Sequence, residues 1–364
     1  MATNPTAELN AVLAHYDLGH LVHWQLDQRG TVNVSYVVET DRAGHRSKYF
    51  LRRYKRGISG DEIRFEHALI RHLAAQGTCP VARVHPTRTG PTFLHRTSPD
   101  GEDEFYAVFD YLTGEDRYTW VGPRCTGGEL QHAGALLAEF HRGASTLVPE
   151  GRRLEPKILD LLEIIERAWS EAPSRSKGTI FDRELTANFA PVQRSIAETR
   201  QVLHEAAPHL PECVIHCDYH PGNLKFEGEA ITGLVDFDWS KRDLRGFDVG
   251  LALWYFCVSW EGRADGRLRL GEASAFISAY QSHLRSHAGL PPLSAEEIRA
   301  LPHLINAGNI YVLYWTLRDY FGKEVDPEEY RLYLRHGIAF ARWFASGANR
   351  QRLQAMLERI PLSP

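Results

Sequence analysis

The chain has 364 residues, of which 43% are hydrophobic and 24% charged, and its formal net charge is -4. This length is enough for two cores, and the composition excludes fibrous and disordered classes. A slightly acidic chain has no global field for nucleic acid or an anionic membrane surface. The longest strongly apolar run, Gly250 to Trp260, is well short of the ~20 residues needed to span a bilayer, and Met1 to Leu13 lacks the pattern of a secretory signal. The expectation is therefore a cytoplasmic protein with no nucleic-acid or membrane partner. Five cysteines at irregular spacing argue against a disulfide framework, so they are expected to be reduced and mostly buried.

In chain order, the first elements are strands. Thr31 to Thr40 alternates Val32, Val34, Tyr36 and Val38 against Asn33, Ser35 and Glu39, and Lys48 to Tyr54 follows a polar turn, which predicts a β-hairpin. Gly30 and Asn33 stand where a permissive loop could cover a nucleotide phosphate, although one glycine is far from a glycine-rich fingerprint. Asp61 to Ala75 has helical apolar spacing, with Asp61 as expected N-cap and Gly77 just beyond its end. Pro80 to Val84, Thr92 to His95 and Glu104 to Leu112 read as further strands, and Thr113-Gly114 reads as a hinge. After Gly114 the pattern turns helical, at Gly128 to His141, Ile158 to Trp169, Pro191 to Ala207, and from Phe247 onward. The expected division is 1–113, strand-rich with one main helix, and 114–364, mainly helical. That order suggests a nucleotide held between the two.

Two buried-strand patterns, Cys213 to Ile215 and Ile231 to Val235, interrupt the helical part, and each delivers a carboxylate at its exit. Asn223 follows Asp218 by five residues, and Pro221-Gly222 between them demands a tight loop that returns the amide to the carboxylate. Asp236 follows on the second strand. An Asp to receive a proton, with an Asn and an Asp to hold magnesium, is the minimal set for phosphoryl transfer from a nucleotide. Four sulfur and nitrogen donors, Cys213, His216, Cys217 and His220, also lie close in sequence. Strand alternation divides Cys213 from His216, which counts against a zinc site.

His216-Cys217-Asp218-Tyr219-His220-Pro221-Gly222-Asn223 resembles the catalytic loop of the aminoglycoside phosphotransferase and choline kinase superfamily. Leu234-Val235-Asp236-Phe237-Asp238-Trp239 resembles its metal-binding strand, and Arg245-Gly246-Phe247-Asp248 a motif that follows it in choline and ethanolamine kinases. Three motifs in this order make the resemblance specific. It implies an α+β, bilobal, protein-kinase-like fold with a small β-rich N-lobe and a larger helical C-lobe. It implies ATP and Mg2+ as cofactors, Asp218 as catalytic group, and Asn223 and Asp236 as metal ligands. His216 is implied as scaffold, and Asp248 as a brace on the loop's amides. Arg52 takes the place of a phosphate-binding lysine, with Glu66 as its partner. Strand alternation favours Arg52 over Arg53 for that role, and Asp238 is left open between metal and support. The Asp110 carbonyl and Leu112 amide would meet adenine.

The acceptor is harder to read. Trp254, Tyr255, Phe256, Trp260, Tyr311, Tyr314 and Trp315 offer aromatic walls for a cation, but helix core explains most of them. No acidic cluster of the kind an aminoglycoside calls for follows Asp236. Thr31-Val32-Asn33 with the His-x-Asp-x-His-Pro-Gly-Asn loop is also similar to type II homoserine kinases. The expected activity is ATP-dependent phosphorylation of a small hydroxylated metabolite, an amino alcohol such as homoserine or choline. The alternatives are an aminoglycoside phosphotransferase and an ATP-binding pseudokinase.

Overall fold

The computed structural model describes residues 5–28, 32–98 and 100–361. In order, its elements are α1 (Pro5–Leu13), β1 (His20–Asp27), β2 (Val34–Arg42), β3 (His45–Arg53), α2 (Gly60–Gln76), β4 (Leu94–Thr97), β5 (Asp103–Asp110), α3 (Gly127–Ala144), α4 (Ile158–Glu171), α5 (Ile180–Ala206), β6 (Glu212–Ile215), β7 (Leu224–Glu227), β8 (Ala230–Leu234), β9 (Lys241–Leu244), α6 (Arg245–Cys257), α7 (Leu270–Ser286), α8 (Ala295–Gly322), α9 (Pro327–Ala345) and α10 (Gly347–Leu357). The chain forms two compact units. The first comprises residues 1–114, 147–154 and 232–238, and the second comprises 115–146, 155–231 and 239–364.

The first unit is built on a five-stranded sheet in the order β1-β2-β3-β5-β4. β2 and β3 pair in antiparallel register from Val34↔Arg53 to Arg42↔His45. Tyr36, Val38, Leu51, Tyr106 and Val108 from one face of the sheet are buried with Leu9, Val12 and Leu13 of α1. The first unit departs from the sequence pattern at its start, where α1 and β1 were not expected, and at Pro80–Val84. β1 is an edge strand whose residues are mostly exposed or half-exposed, so it has no clean alternation to betray it. The Pro80–Val84 stretch, expected as a strand, makes only isolated bridges, Val81 with Leu234 and Val84 with Phe109. α2 starts earlier than expected, because Ser59 rather than Asp61 caps it in a reciprocal capping box with Glu62.

The second unit is mainly helical. α5 begins eleven residues before the expected start at Pro191, at a Thr179–Asp182 capping box, and runs through the proline. Its apolar face, Phe181, Leu185, Val192, Ile196 and Leu203, is buried, and that packing holds the helix together across the missing N–H. α6 and α8 cross closely. A Cβ added to Gly250 would stand 2.6 Å from the Leu304 carbonyl carbon, and one on Gly308 would be 2.9 Å from the Leu251 Cα. β6 pairs with β9 from Glu212↔Leu244 to Ile215↔Lys241. Among the described residues no helix is long and apolar enough to cross a membrane.

Candidate active site

β6 carries the chain to His216 and Cys217, where the backbone turns sharply: Cys217 has φ +63°, and Asp236 has φ +66°. Side-chain-bearing residues pay for this left-handed conformation, and such strain concentrates where a turn must aim a group. The Cys217 turn is held from below. Asp248, in the first turn of α6 and fully buried, accepts from the amides of His216 (2.8 Å) and Cys217 (2.8 Å). His141 of α3 contacts the same carboxylate through Nε2 at 3.0 Å, and its Nδ1 is 2.8 Å from the Tyr280 hydroxyl. This is the brace that the sequence resemblance implies for Asp248, with His141 as a partner that no motif announced.

Asp218 follows the turn and is 20% exposed. Its Oδ1 accepts from the Tyr255 hydroxyl (3.1 Å), and Oδ2 accepts from Asn223 Nδ2 (3.2 Å). Asn223 Nδ2 also donates to the Asp218 carbonyl (2.9 Å), which turns the amide oxygen, a hard donor, away from Asp218. The His220 Nδ1 accepts from the Gly222 amide (3.0 Å). The ring proton therefore sits on Nε2, which lies 3.6 Å from Asp218 Oδ2. Burial raises the Asp218 pKa, but His220, His216 and the Tyr255 hydroxyl outweigh it and hold the carboxyl below the usual range. Asp218 is thus ionised at neutral pH. Tyr255 stands seven residues after Asp248 on the same face of α6, but its contact with Asp218 spans 37 positions and depends on the fold.

The other expected residues lie in the first unit. Arg52 on β3 reaches Glu66 of α2 at 3.2 Å, Asp238 at 2.7 Å and Asp236 at 3.9 Å. Arg53, next in the strand, points to the opposite face and pairs with Glu8 at 3.1 Å. Burial works to lower the Arg52 pKa, but Asp238, Glu66 and Asp236 together hold it higher than usual. Asp238 is 4% exposed and Asp236 40%, so the first is a buried partner of Arg52 and the second faces solvent. Asn33 is engaged at both ends of its amide: Nδ2 donates to Asp238 and Oδ1 accepts from the Lys55 amide at 2.9 Å. Gly30 lies outside the described residues. The Asp110 amide donates to the Arg83 carbonyl (2.9 Å), its carboxylate is held by Arg83 (2.7 Å) and His85 (2.8 Å), and Leu112 is half-buried.

Behind Arg52 runs a buried polar chain. The Tyr54 hydroxyl donates its one proton to Glu66 at 3.1 Å, so His67 Nε2, 2.9 Å away, donates to it, and His67 Nδ1 accepts from Thr92 at 2.7 Å. Burial, with Arg52 and Arg71 adding to it, pushes His67 down to about 3. Burial and the Asp238 carboxylate push Glu66 up, against Arg52 and Arg153. Arg153, from the segment 147–154, contributes a hydrogen bond to the Phe237 carbonyl at 3.3 Å. Nothing in its local sequence distinguishes it from the neighbouring Arg152.

The aromatic walls divide. Trp254 and Phe256 are buried in core. Trp120, Trp260 and Tyr333 are half-buried and pack on one another, and Trp120 also contacts Tyr255 edge-on at 6.4 Å. Tyr311 and Trp315 form a second group with Trp239.

Comparison with known proteins matches residues 14–288 to the model of the phosphotransferase enzyme family. A homoserine kinase of Chelativorans sp. is 28% identical over 348 residues, covering 90% of this chain and 92% of that protein. Among solved structures, a microcompartment-associated aminopropanol kinase superposes with a TM-score of 0.68 at 19% identity, covering 95% of this chain and 99% of the other. An amicoumacin kinase in complex with AMP-PNP and Ca2+ gives 0.60 at 16% identity over 99% of this chain and 93% of the other. The five-stranded first unit and the helical second unit are those of the kinase-like fold expected from the sequence. With the family model spanning most of its length, this chain belongs to the phosphotransferase enzyme family and is a small-molecule kinase, an enzyme class that takes its phosphoryl group from ATP.

Proposed function

We propose that the chain phosphorylates the hydroxyl of a small amino-bearing metabolite, with homoserine as the foremost acceptor and Mg-ATP as donor. The observation that carries the reading is the Asp218 carboxylate, fixed just after the strained Cys217 turn by hydrogen bonds from Tyr255 and Asn223. The resemblance of nearly the whole chain to homoserine kinases supports the acceptor.

In this reading Asp218 accepts a hydrogen bond from the acceptor hydroxyl and orients it toward the γ-phosphoryl group. A carboxylate with a depressed pKa is a weak base. It suits a loose transition state, in which the proton leaves late, better than early abstraction. Asn223 and Asp236 would hold magnesium. They supply hard amide and carboxylate oxygens, and Mg2+ takes few protein ligands beside substrate phosphates. When bound, the metal neutralises charge on the phosphate oxygens. Arg52, kept in place by Glu66 and Asp238, presents a guanidinium fork to the phosphates. Asn33, tied to Asp238 and the Lys55 amide, would stand over the phosphates, and Gly30 is assigned to the same role from sequence alone. The Asp110 carbonyl and Leu112 amide receive adenine. The test is ADP release from Mg-ATP with homoserine, choline, ethanolamine and an aminoglycoside supplied separately. Homoserine should give the highest kcat/KM, and Asp218→Ala and Asp236→Ala should each abolish it while the fold persists. Faster turnover of choline or an aminoglycoside would overturn the acceptor, and full activity in both variants would overturn the site.

A further inference from the structure

We infer that the acceptor carries a carboxylate and that Arg318 binds it, an inference that rests on the proposed reading of the site and narrows it. Tyr311, Trp315 and Arg318 stand at i, i+4 and i+7 of α8 and so form one stripe of that helix. The stripe begins at the loop that carries Asp218: the Tyr311 hydroxyl lies 3.8 Å from Cys217 Sγ. One turn on, Trp315 packs against Tyr311 at 5.7 Å and against Trp239 at 4.5 Å between ring centres. Arg318 then lies flat on that ring, with its guanidinium carbon 3.3 Å from the Trp315 centre. Long helical side chains lean toward the helix N-terminus. The guanidinium thus covers the turn nearer Cys217, inside the rise of about 10 Å that separates residues 311 and 318 along the axis.

Stacking fixes the plane of the guanidinium, and a planar fork held in this way suits a carboxylate taken by two parallel hydrogen bonds. Arg318 is 44% exposed, and its Nε and Nη2 donate to Asp319 Oδ1 at 3.4 and 3.3 Å, while Lys323 holds the other oxygen of Asp319 at 2.8 Å. Both Arg318 bonds are at the long limit of hydrogen bonding, so a ligand carboxylate that approaches the fork displaces little. Trp239, Tyr314 and Trp315 are half-buried and give a ligand an apolar flank. An amino alcohol without a carboxylate gains nothing from such a group, and its ammonium is repelled. Homoserine and aminopropanol differ by that one group, so Arg318 separates the two acceptor classes.

The test compares wild type, Arg318→Ala and Arg318→Lys with homoserine and 3-amino-1-propanol as acceptors. Homoserine binding is read separately, from tryptophan fluorescence, in these proteins and in Asp218→Asn. In Arg318→Ala the ratio of kcat/KM for homoserine over aminopropanol should fall about 30-fold, the order expected for a hydrogen-bonded charge. The loss should appear in KM rather than kcat, and lysine should restore only part because it lacks the fork. An equal loss for both acceptors would assign Arg318 to the nucleotide phosphates and overturn the inference. An unchanged homoserine KM would overturn it while leaving the proposed acceptor standing. If neither compound is phosphorylated, the acceptor reading fails by itself. A homoserine-dependent fluorescence change that survives in Asp218→Asn and vanishes in Arg318→Ala would then still support the carboxylate site, and no change in wild type would overturn both.

Discussion

Asp218 and Arg52 both sit among opposing charges, but the consequences of losing each differ. Asp218 is partly exposed and its neighbours are an amide, a hydroxyl and a histidine. Asp218→Asn should therefore keep the fold and cost about 10³-fold in kcat, the order expected when a positioned acid–base group is lost. Arg52 is buried between two carboxylates at 2.7 and 3.2 Å. Arg52→Ala leaves Asp238 without its close counter-charge and Glu66 with only Arg153, and should destabilise the first unit by about 3–5 kcal/mol. Thermal unfolding beside kinetics would separate the two cases. A stable, inactive Arg52→Ala would show that Asp238 and Glu66 tolerate their burial alone. Strand alternation was enough to send Arg52 and Arg53 to different partners, Glu66 and Glu8. The sequence had no means of revealing that Asp238, and not the more exposed Asp236, is the nearer carboxylate, because that depends on how the 232–238 segment packs beside β3.

At the scale of elements, caps and close crossings decide boundaries that periodicity leaves loose. Ser59→Ala removes the hydroxyl that accepts from the Glu62 amide, leaves the backbone amide of residue 59 on the Glu62 carboxylate, and should cost about 1 kcal/mol, measured by denaturant unfolding. Since α2 carries Glu66 and His67, the same change should also loosen Arg52. The α6–α8 crossing is tighter. Gly250→Ala pushes a methyl into the backbone at Leu304, and overpacking of that kind costs about 1–3 kcal/mol. Asp248 is two residues earlier on α6, so the variant should lose activity beyond its loss of stability. Retained kcat at wild-type stability would contradict this coupling. The helix periodicity of α2, α3 and α4 was legible in the sequence, whereas the α2 cap, expected at Asp61, lies at Ser59. The early start of α5 was not legible, because a proline in the middle of a helix reads as a beginning until the buried face on both sides of it is seen.

For the molecule as a whole, stability should depend on pH through two adjacent residues of opposite sense. His67 is neutral in the fold with a pKa near 3, whereas the unfolded chain protonates near 6.5. The unfolded state binds the extra proton, so His67 lowers stability progressively as pH falls from 6.5 toward 3. Glu66 has a raised pKa of about 7 against about 4.3 unfolded. The fold binds the proton, and this contribution is lost as pH rises from about 4.3 to 7. Between about 4.3 and 6.5 the two contributions oppose each other, so there His67→Asn should expose a fall in melting temperature with rising pH, and Glu66→Gln should expose a rise. Each slope is at most about 1.4 kcal/mol per pH unit. Parallel profiles for wild type and both variants would refute the assignment.

Local sequence alone determined the strand-rich then helical order of the chain, the two carboxylates at strand exits and the Pro221-Gly222 loop. Each depends on periodicity, turn chemistry or short spacing, which need no knowledge of distant residues. Tertiary structure alone decided that His141 and Tyr280 support Asp248, that Tyr255 holds Asp218, and that Arg318 lies on Trp315 above Trp239. All but the Arg318–Trp315 stack join residues more than thirty positions apart, and even there only packing shows which aromatic side chains become core and which become walls. The phosphoryl-transfer role proposed for the Asp218 loop therefore came from local sequence, whereas the carboxylate grip proposed for Arg318 depends on a helix face that only packing brings to Cys217.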